Sequence, residues 1–301
     1  QDSEIYFRGS TKLDNGIRVD GTIQLEADAH NGGTIDESYL KFTGGFGDIR
    51  LGATKAAGAV LRATAIYTGT FRSDTPDVGL FINQPAAVTV NGNTSVIAAS
   101  DAMKIVYITP KIGGFRMGAT YTPSETAGSA LAAIGGNSGT EVQRWDAMVQ
   151  YENKMGASDV HLDIGYMEDD GPATNALKAV RGGVRVIFGG TSIAASMMAV
   201  SDVDSGLGGT VNTHDNDSWD IGFSQKVGAY TIGAAYFHSE RNVAATADDE
   251  VDKWQVGVST AIGPGVTLTG SVHRAEYDDS GIAVANNNKG WAAVAGLRVG
   301  F

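Results

Sequence analysis

From residue 4 onward, polar and apolar residues alternate with a period of two. Over 4–13, Ile5, Phe7 and Leu13 fall on one face, and Glu4, Tyr6, Arg8, Ser10 and Lys12 on the other. This is the pattern of a strand that is wet on one side only. Asp14-Asn15-Gly16 is a tight-hairpin signal. Residues 17–27 then repeat the alternation, with Arg18, Asp20, Thr22, Gln24 and Glu26 set against Val19, Ile23 and Leu25. The same unit predicts strands at 37–45, 48–52, 102–112, 115–121, 142–152, 159–168, 179–188, 191–200, 217–227, 230–239, 251–262, 266–277 and 289–301. The chain is all-β, with about fifteen strands of roughly 8 to 12 residues, a length that crosses a bilayer at a tilt.

The connections alternate as well. Each hairpin closes with a short turn at one end, such as Gly113-Gly114, Gly189-Gly190 or Gly263-Pro264-Gly265, while polar loops at 123–141, 169–178, 201–216, 240–250 and 278–288 lie at the other. A soluble sandwich has no reason to gather its long loops at one end, and no blade signature points to a propeller. A membrane barrel does have such a reason, because its two rims face different compartments. One segment, 54–100, breaks the alternation. It carries Pro76, Pro85, scattered glycines and few charges: Lys55, Arg62, Arg72, Asp74 and Asp77. Connections of that length are functional or disordered, and 60–67 and 78–82 are too apolar for disorder. The segment is expected to pack on something large, with Ile66, Tyr67, Leu80 and Phe81 against it.

Composition narrows the classes. The 301 residues form a single domain, 1–301, because no linker divides them. The absence of cysteine excludes disulfides and thiolate metal sites. A net charge of −12 argues against a nucleic-acid partner. No stretch is apolar enough for a membrane-spanning helix. The 42% hydrophobic content is neutral on the question, since barrel strands are apolar on one face only. The opening Gln1-Asp2-Ser3-Glu4-Ile5-Tyr6 lacks the basic region and apolar core of a signal peptide, so either processing has removed one or the chain is incomplete.

The polar face carries Arg8, Lys12, Arg18, Lys41, Arg50, Arg116, Arg144, Arg181, Arg185 and Arg298, with Asp20, Glu26, Asp146 and Asp163. The other face carries Trp145, Tyr151, Tyr166, Trp219, Tyr230, Tyr236, Trp254, Trp291 and Phe301 in phase with Val, Ile, Leu, Ala and Gly, mostly toward strand ends. Ala and Gly fill a soluble core poorly, whereas aromatic girdles mark membrane interfaces. The polar face is therefore expected to point inward to a passage and the apolar face outward to lipid.

Asp36-Glu37-Ser38-Tyr39-Leu40-Lys41-Phe42 running into Phe46-Gly47-Asp48-Ile49-Arg50-Leu51-Gly52, the long segment after it, and the ending Leu297-Arg298-Val299-Gly300-Phe301 resemble the trimeric general-diffusion porins of Gram-negative outer membranes, nearest the alphaproteobacterial type. The resemblance spans essentially the whole chain. It implies an antiparallel transmembrane barrel of 16 strands in the full protein, with the long third loop folded into the pore. It further implies a homotrimer in outer-membrane lipid that passes ions and small hydrophilic solutes without a cofactor or covalent chemistry. Carried over, 54–100 becomes the constriction loop, Asp74 and Asp77 its acidic side, and Arg8, Arg18, Lys41 and Arg50 the basic wall; Arg116, Arg144, Arg181 and Arg185 line the rest of the pore. This loop departs from the pattern, being poor in carboxylates and carrying Arg62 and Arg72. Alternatives are a substrate-selective channel, or a plugged barrel acting as an outer-membrane enzyme or structural surface protein.

Both termini of such a barrel lie at one rim, yet the strand at 4–13 is followed by a short turn. One strand and its loop are therefore expected before Gln1. Small outward residues Gly9, Thr11 and Gly21 are expected to permit close approach in the trimer. His161 with Asp163, and His273 near Ser271, resemble parts of a hydrolase, but no Gly-x-Ser-x-Gly elbow accompanies them. Asp169-Asp170, Asp248-Asp249-Glu250 and Asp278-Asp279 offer oxygen ligands for loop-bound calcium, and read equally as solvated loop charge.

Overall fold

A computed structural model of the chain describes residues 3–27, 35–69, 72, 76–95, 102–123, 143–169, 177–202, 215–244, 247–280 and 286–300. Among the described residues, fifteen antiparallel strands form one sheet in sequence order. They are β1 (Glu4–Lys12), β2 (Arg18–Glu26), β3 (Ile35–Gly44), β4 (Gly47–Ala53), β5 (Met103–Ile108), β6 (Phe115–Thr122), β7 (Arg144–Met155) and β8 (Ser158–Asp169). The series continues with β9 (Leu177–Phe188), β10 (Thr191–Asp202), β11 (Asn216–Val227), β12 (Tyr230–Ala244), β13 (Ala247–Gly263), β14 (Val266–Asp278) and β15 (Asn288–Val299). The only helical pieces among the described residues are a single turn, α1 (Ala57–Val60), and a 3₁₀ turn at Pro76–Leu80, both inside the segment that broke the alternation. No helix there is long and apolar enough to cross a membrane, which says nothing of a barrel.

The short turns sit where the sequence put them. Gly189 and Gly190 both have positive φ, 54° and 82°, the twist that a two-residue turn needs to join right-twisted strands. One expected loop, 240–250, is instead largely sheet. Arg241 pairs with Asp249 and Asn242 with Asp248, extending the β12–β13 hairpin. Opposite charges across the ladder support that extension.

Burial follows the alternation inside out. Along β11, Asn216, Ser218, Asp220, Gly222 and Ser224 are buried, while Trp219, Ile221 and Phe223 are exposed. On β7, Asp146 is 3% exposed and its neighbour Trp145 52%. A water-soluble protein could not leave a continuous apolar sheet face bare, but lipid can cover it. Aromatic side chains line up on that face. Trp219, Tyr236 and Trp254 lie 5.0 and 5.1 Å apart on β11, β12 and β13. Arg274 on β14 stacks on Trp254 and on Trp291 of β15, at 5.6 and 5.4 Å. Such a row is an interface girdle, with the Arg stem covering apolar surface while its head stays polar.

The chain divides into two compact units that interleave in sequence, residues 1–62, 96–151 and 164–178 in one, and 63–95, 152–163 and 179–301 in the other. Each holds part of the long segment.

Candidate functional site

In the first unit, the register places the four predicted wall cations in adjacent rows on the polar face. Ser10, Asp20, Lys41, Arg50, Val106, Thr120 and Asp146 form one row across β1 to β7. Lys41 and Arg50 are thus direct cross-strand neighbours. Like charges so placed destabilise a sheet, and the carboxylates of Asp20 in the same row and Asp48, 4.0 Å from Lys41 Nζ, offset the repulsion. Arg8 stands one row above, opposite Thr22 and 4.4 Å over the Tyr6 ring. Arg18 stands one row below, opposite Lys12, with its Nε donating to Asp20 at 2.8 Å. Arg116 donates to Gln150 at 2.8 Å and Arg144 to Asp169 at 3.0 Å on the same face.

The start of the long segment lies over β5–β7, and wall side chains satisfy its backbone. Lys104 Nζ donates to Thr54 O at 2.6 Å, Ala57 N to Thr120 Oγ1 at 2.8 Å, Gly58 N to Asp146 Oδ1 at 2.9 Å, and Gln150 Nε2 to Leu61 O at 3.0 Å. A one-turn helix leaves nearly all its backbone groups without intrahelical partners. This one is viable because the wall supplies them, and because Gly118 makes room: a Cβ there would stand 2.8 Å from both Ala57 and Leu61.

The second unit continues in the same manner from β8 outward. Ala63 N donates to Asp163 at 2.5 Å and Ala65 N to Asp220 at 3.3 Å; Tyr67 Oη donates to Asp220 at 3.0 Å and Gln255 Nε2 to Thr68 O at 3.2 Å. The path runs over glycines. A Cβ on Gly183 would stand 2.5 Å from Ala63 O, one on Gly222 2.7 Å from Ile66 O, and one on Gly257 1.5 Å from Thr68 O. From the 3₁₀ turn onward, Val78, Ile82 and Val88 close an apolar cluster with Val251, Ala275 and Tyr277. The chain then returns: Thr89 N donates to Asp249 at 2.9 Å, Asn91 N to Asn216 at 2.6 Å, Ser218 Oγ to Asn93 O at 2.9 Å, and Thr94 Oγ1 meets Ser196 Oγ at 2.6 Å.

Arg181 joins the two limbs. Its guanidinium donates to Ala63 O at 2.6 Å on the outgoing limb and to Thr94 O at 2.8 Å on the returning one, and is ion-paired with Asp163. The sequence reading made Arg181 a pore-lining residue. It is 1% exposed and staples the neck of the loop, because two backbone carbonyls and a carboxylate meet at that height and take up its donors. Arg185, also expected to line the pore, is half-buried and donates to Thr64 O at 3.0 Å. A second correction concerns the loop's apolar contacts. Leu80 and Phe81 are 76% and 51% exposed, whereas Val78 and Ile82 are buried. Val78 and Ile82 are bonded across one turn, Ile82 N to Val78 O at 2.9 Å, so they share the side that faces the wall. Asp74 lies outside the described residues; Asp77 is placed by its backbone in the 3₁₀ turn, and its side chain is outside them.

The hydrolase-like groups are engaged structurally. Asp163 serves Arg181 and the loop backbone. Ser271 Oγ and His273 Nε2 are 2.8 Å apart, but both are buried, and a Cβ on Gly69 of the loop would stand 2.6 Å from Ser271. Of the paired loop carboxylates, Asp169 accepts from Arg144 and Leu177 N, and Asp249 from Thr89 and Ser280 N.

An all-antiparallel sheet that is polar on its buried side, apolar on its exposed side and girdled by aromatics defines a transmembrane β-barrel. A family model described as Gram-negative porin matches residues 1–280, and the chain belongs to that family. No curated protein matches it by sequence. Among solved structures, the anion-selective porin from Comamonas acidovorans is 18% identical with a TM-score of 0.68, covering 100% of this chain and 90% of that one. The trimer form of OmpT, an outer membrane protein of Vibrio cholerae, is 13% identical with a TM-score of 0.66, covering 99% and 91%. A triple mutant of the Rh. blastica porin is 18% identical with a TM-score of 0.60, covering 99% and 89%. The protein is an outer-membrane diffusion channel, and its family points to a channel rather than to an enzyme.

Proposed function

We propose that this protein is a homotrimeric, passive channel for ions and small hydrophilic solutes, narrowed by the segment 54–100 and carrying Arg8, Arg18, Lys41 and Arg50 as the cationic side of its passage. The observation that carries the reading is the wall's treatment of the long segment. Side chains from β5, β6, β7, β8, β9, β11 and β13 hydrogen-bond its backbone. A backbone held in this way on the polar side of a barrel reduces the open section without sealing it. Asp74 and Asp77 belong to the same proposal as the loop's own carboxylates. Gly9 and Gly21 stand opposite one another on the apolar face of β1 and β2, with open space above Gly9 and only Leu40 Cδ2 near Gly21, and suit close approach of a second copy.

Reconstitution into planar bilayers tests this. The expected record is conductance in three equal steps, with no requirement for a metal or cofactor. Replacing Lys41 and Arg50 together with Gln should move the reversal potential toward cation preference, because charges bordering a narrow passage are screened less than those at an open surface. Single steps, or a selectivity indifferent to this pair, would contradict the trimeric constriction.

A further inference from the structure

We propose that the lipid-facing side of β13, β14 and β15 holds one membrane-lipid headgroup at a defined place, and that this headgroup carries a phosphate with an ammonium beyond it, as a phosphoethanolamine does. The proposal goes beyond the channel reading and needs only the barrel's apolar outer face. All of its residues lie in the second unit. A depression of about 570 Å³ opens on that face, lined by Trp254, Val256, Val272, Arg274, Glu276 and Trp291. Arg274 lies between Trp254 and Trp291, and its Nη2 donates to Glu276 at 2.7 Å. Lys289 Nζ reaches the same carboxylate at 3.6 Å. Among the described residues, these two cations share that one carboxylate. The neighbouring Asp252, opposite Glu276, is already engaged, accepting from Tyr236 Oη and standing 2.9 Å from His238 Nδ1. One positive charge is therefore left over, on side chains 34% and 70% exposed.

Toward the long loops the sign reverses. Two residues further along each strand, Glu240, Glu250 and Asp278 stand directly opposite one another on the same face. Strands rise about 3.4 Å per residue, so this acidic rung lies roughly 7 Å beyond that of Glu276 and Lys289. Like charges opposed on a ladder repel, and lipid tails offer neither a donor nor an acceptor to relieve them. A zwitterionic headgroup meets the three levels in order. Its acyl chains lie on Val256 and Val272, its phosphate takes the surplus charge of Arg274 and Lys289, and its ammonium donates to the acidic rung. The phosphate suits Arg274 in particular, because a planar guanidinium binds two phosphate oxygens in parallel and stacks on aromatic rings at the same time. A purely anionic headgroup would satisfy the first cationic level but meet Glu250 and Asp278 with the wrong sign.

The test is native mass spectrometry of the full chain, delipidated in mild detergent and titrated with phosphatidylethanolamine, phosphatidylglycerol or diacylglycerol of the same acyl chains. The native protein should retain phosphatidylethanolamine in preference to phosphatidylglycerol, and diacylglycerol hardly at all. Arg274→Gln should raise the phosphatidylethanolamine concentration for half-occupancy about tenfold, the loss of one hydrogen bond to a charged group. Arg274→Lys should recover only part of this, because an ammonium has no fork. Glu250→Gln should keep binding but erase the preference between the two phospholipids. Lys154→Gln, which removes an exposed pair with Asp159, should change nothing. If Arg274→Gln does not fold, Glu276→Gln decides: with both cations released from their shared carboxylate, phosphatidylglycerol should bind more tightly. Equal retention of all three lipids, or an unchanged titration in Arg274→Gln or Glu276→Gln, would overturn the site. Loss of subunits in Arg274→Gln without loss of lipid would assign this face to a second copy and overturn the site equally. Failure of the native protein to conduct in planar bilayers would sink the channel reading and leave this result standing.

Discussion

Arg181→Met should free the neck of the long loop while leaving the strands assembled. The guanidinium binds two loop carbonyls from residues 31 positions apart, Ala63 and Thr94, and neutralises Asp163, whose exposure is 8%. Methionine fills the volume but offers no donor. It leaves a buried carboxylate without its cation and two carbonyls without partners. Removing one member of a buried ion pair costs about 3–5 kcal/mol, whereas an exposed pair such as Lys154 with Asp159 contributes little. The sheet's ladder hydrogen bonds do not pass through this side chain, so the loss falls on the loop. The folded variant should be nicked by protease between residues 63 and 95 under conditions that spare the native protein, and its conductance should be larger and noisier. Lys154→Met, which removes that exposed pair with Asp159, should do neither. Equal protection in the native and Arg181→Met proteins would refute the staple.

The second large effect belongs to Gly257. Its backbone is ordinary strand, paired opposite Gly233 and Ser271, so no unusual φ demands glycine there. What demands it is the loop: a Cβ would stand 1.5 Å from Thr68 O, backbone that cannot rotate away. In Gly257→Val the loop must lift off β13, breaking the bond from Gln255 to Thr68 O. Overpacking of this kind costs about 1–3 kcal/mol, and lifting the loop widens the passage. Conductance should rise and selectivity fall in a barrel that still inserts. Gly263→Ala, on the same strand and with nothing within 4 Å of the added carbon, serves as the neutral comparison. An unchanged conductance in Gly257→Val would mean that the loop does not follow the glycine path.

Strands and faces were legible because alternation is local: each residue declares its face by parity alone. Asp146 and Trp145 needed no partner to be sorted correctly. The extension of β12 and β13 was not legible, because its support is Arg241 opposite Asp249, and Asp249 bonding Thr89 far away in sequence. Nor was the role of Arg181, since an arginine on an inward face reads the same whether it meets water or two carbonyls. One signal was available. Gly183, Gly222, Gly233 and Gly257 all lie on the polar face of strands otherwise rich in side chains, and a wall facing only water has no need of glycine. The loop's apolar contacts were misjudged because hydrophobicity alone cannot say which side of a 3₁₀ turn faces the wall. Val78 and Ile82 took it, and Leu80 and Phe81 did not.

On the reading proposed above, the segment 54–100 lies on the polar face and narrows an otherwise open barrel. Swelling rates of proteoliposomes in sugars of graded size measure this directly. The native protein should admit the small sugars and exclude the larger ones, and a variant lacking 76–90, with the neck residues Ala63 and Thr94 retained, should admit the larger ones too. An identical size cut-off in the two proteins would contradict the claim.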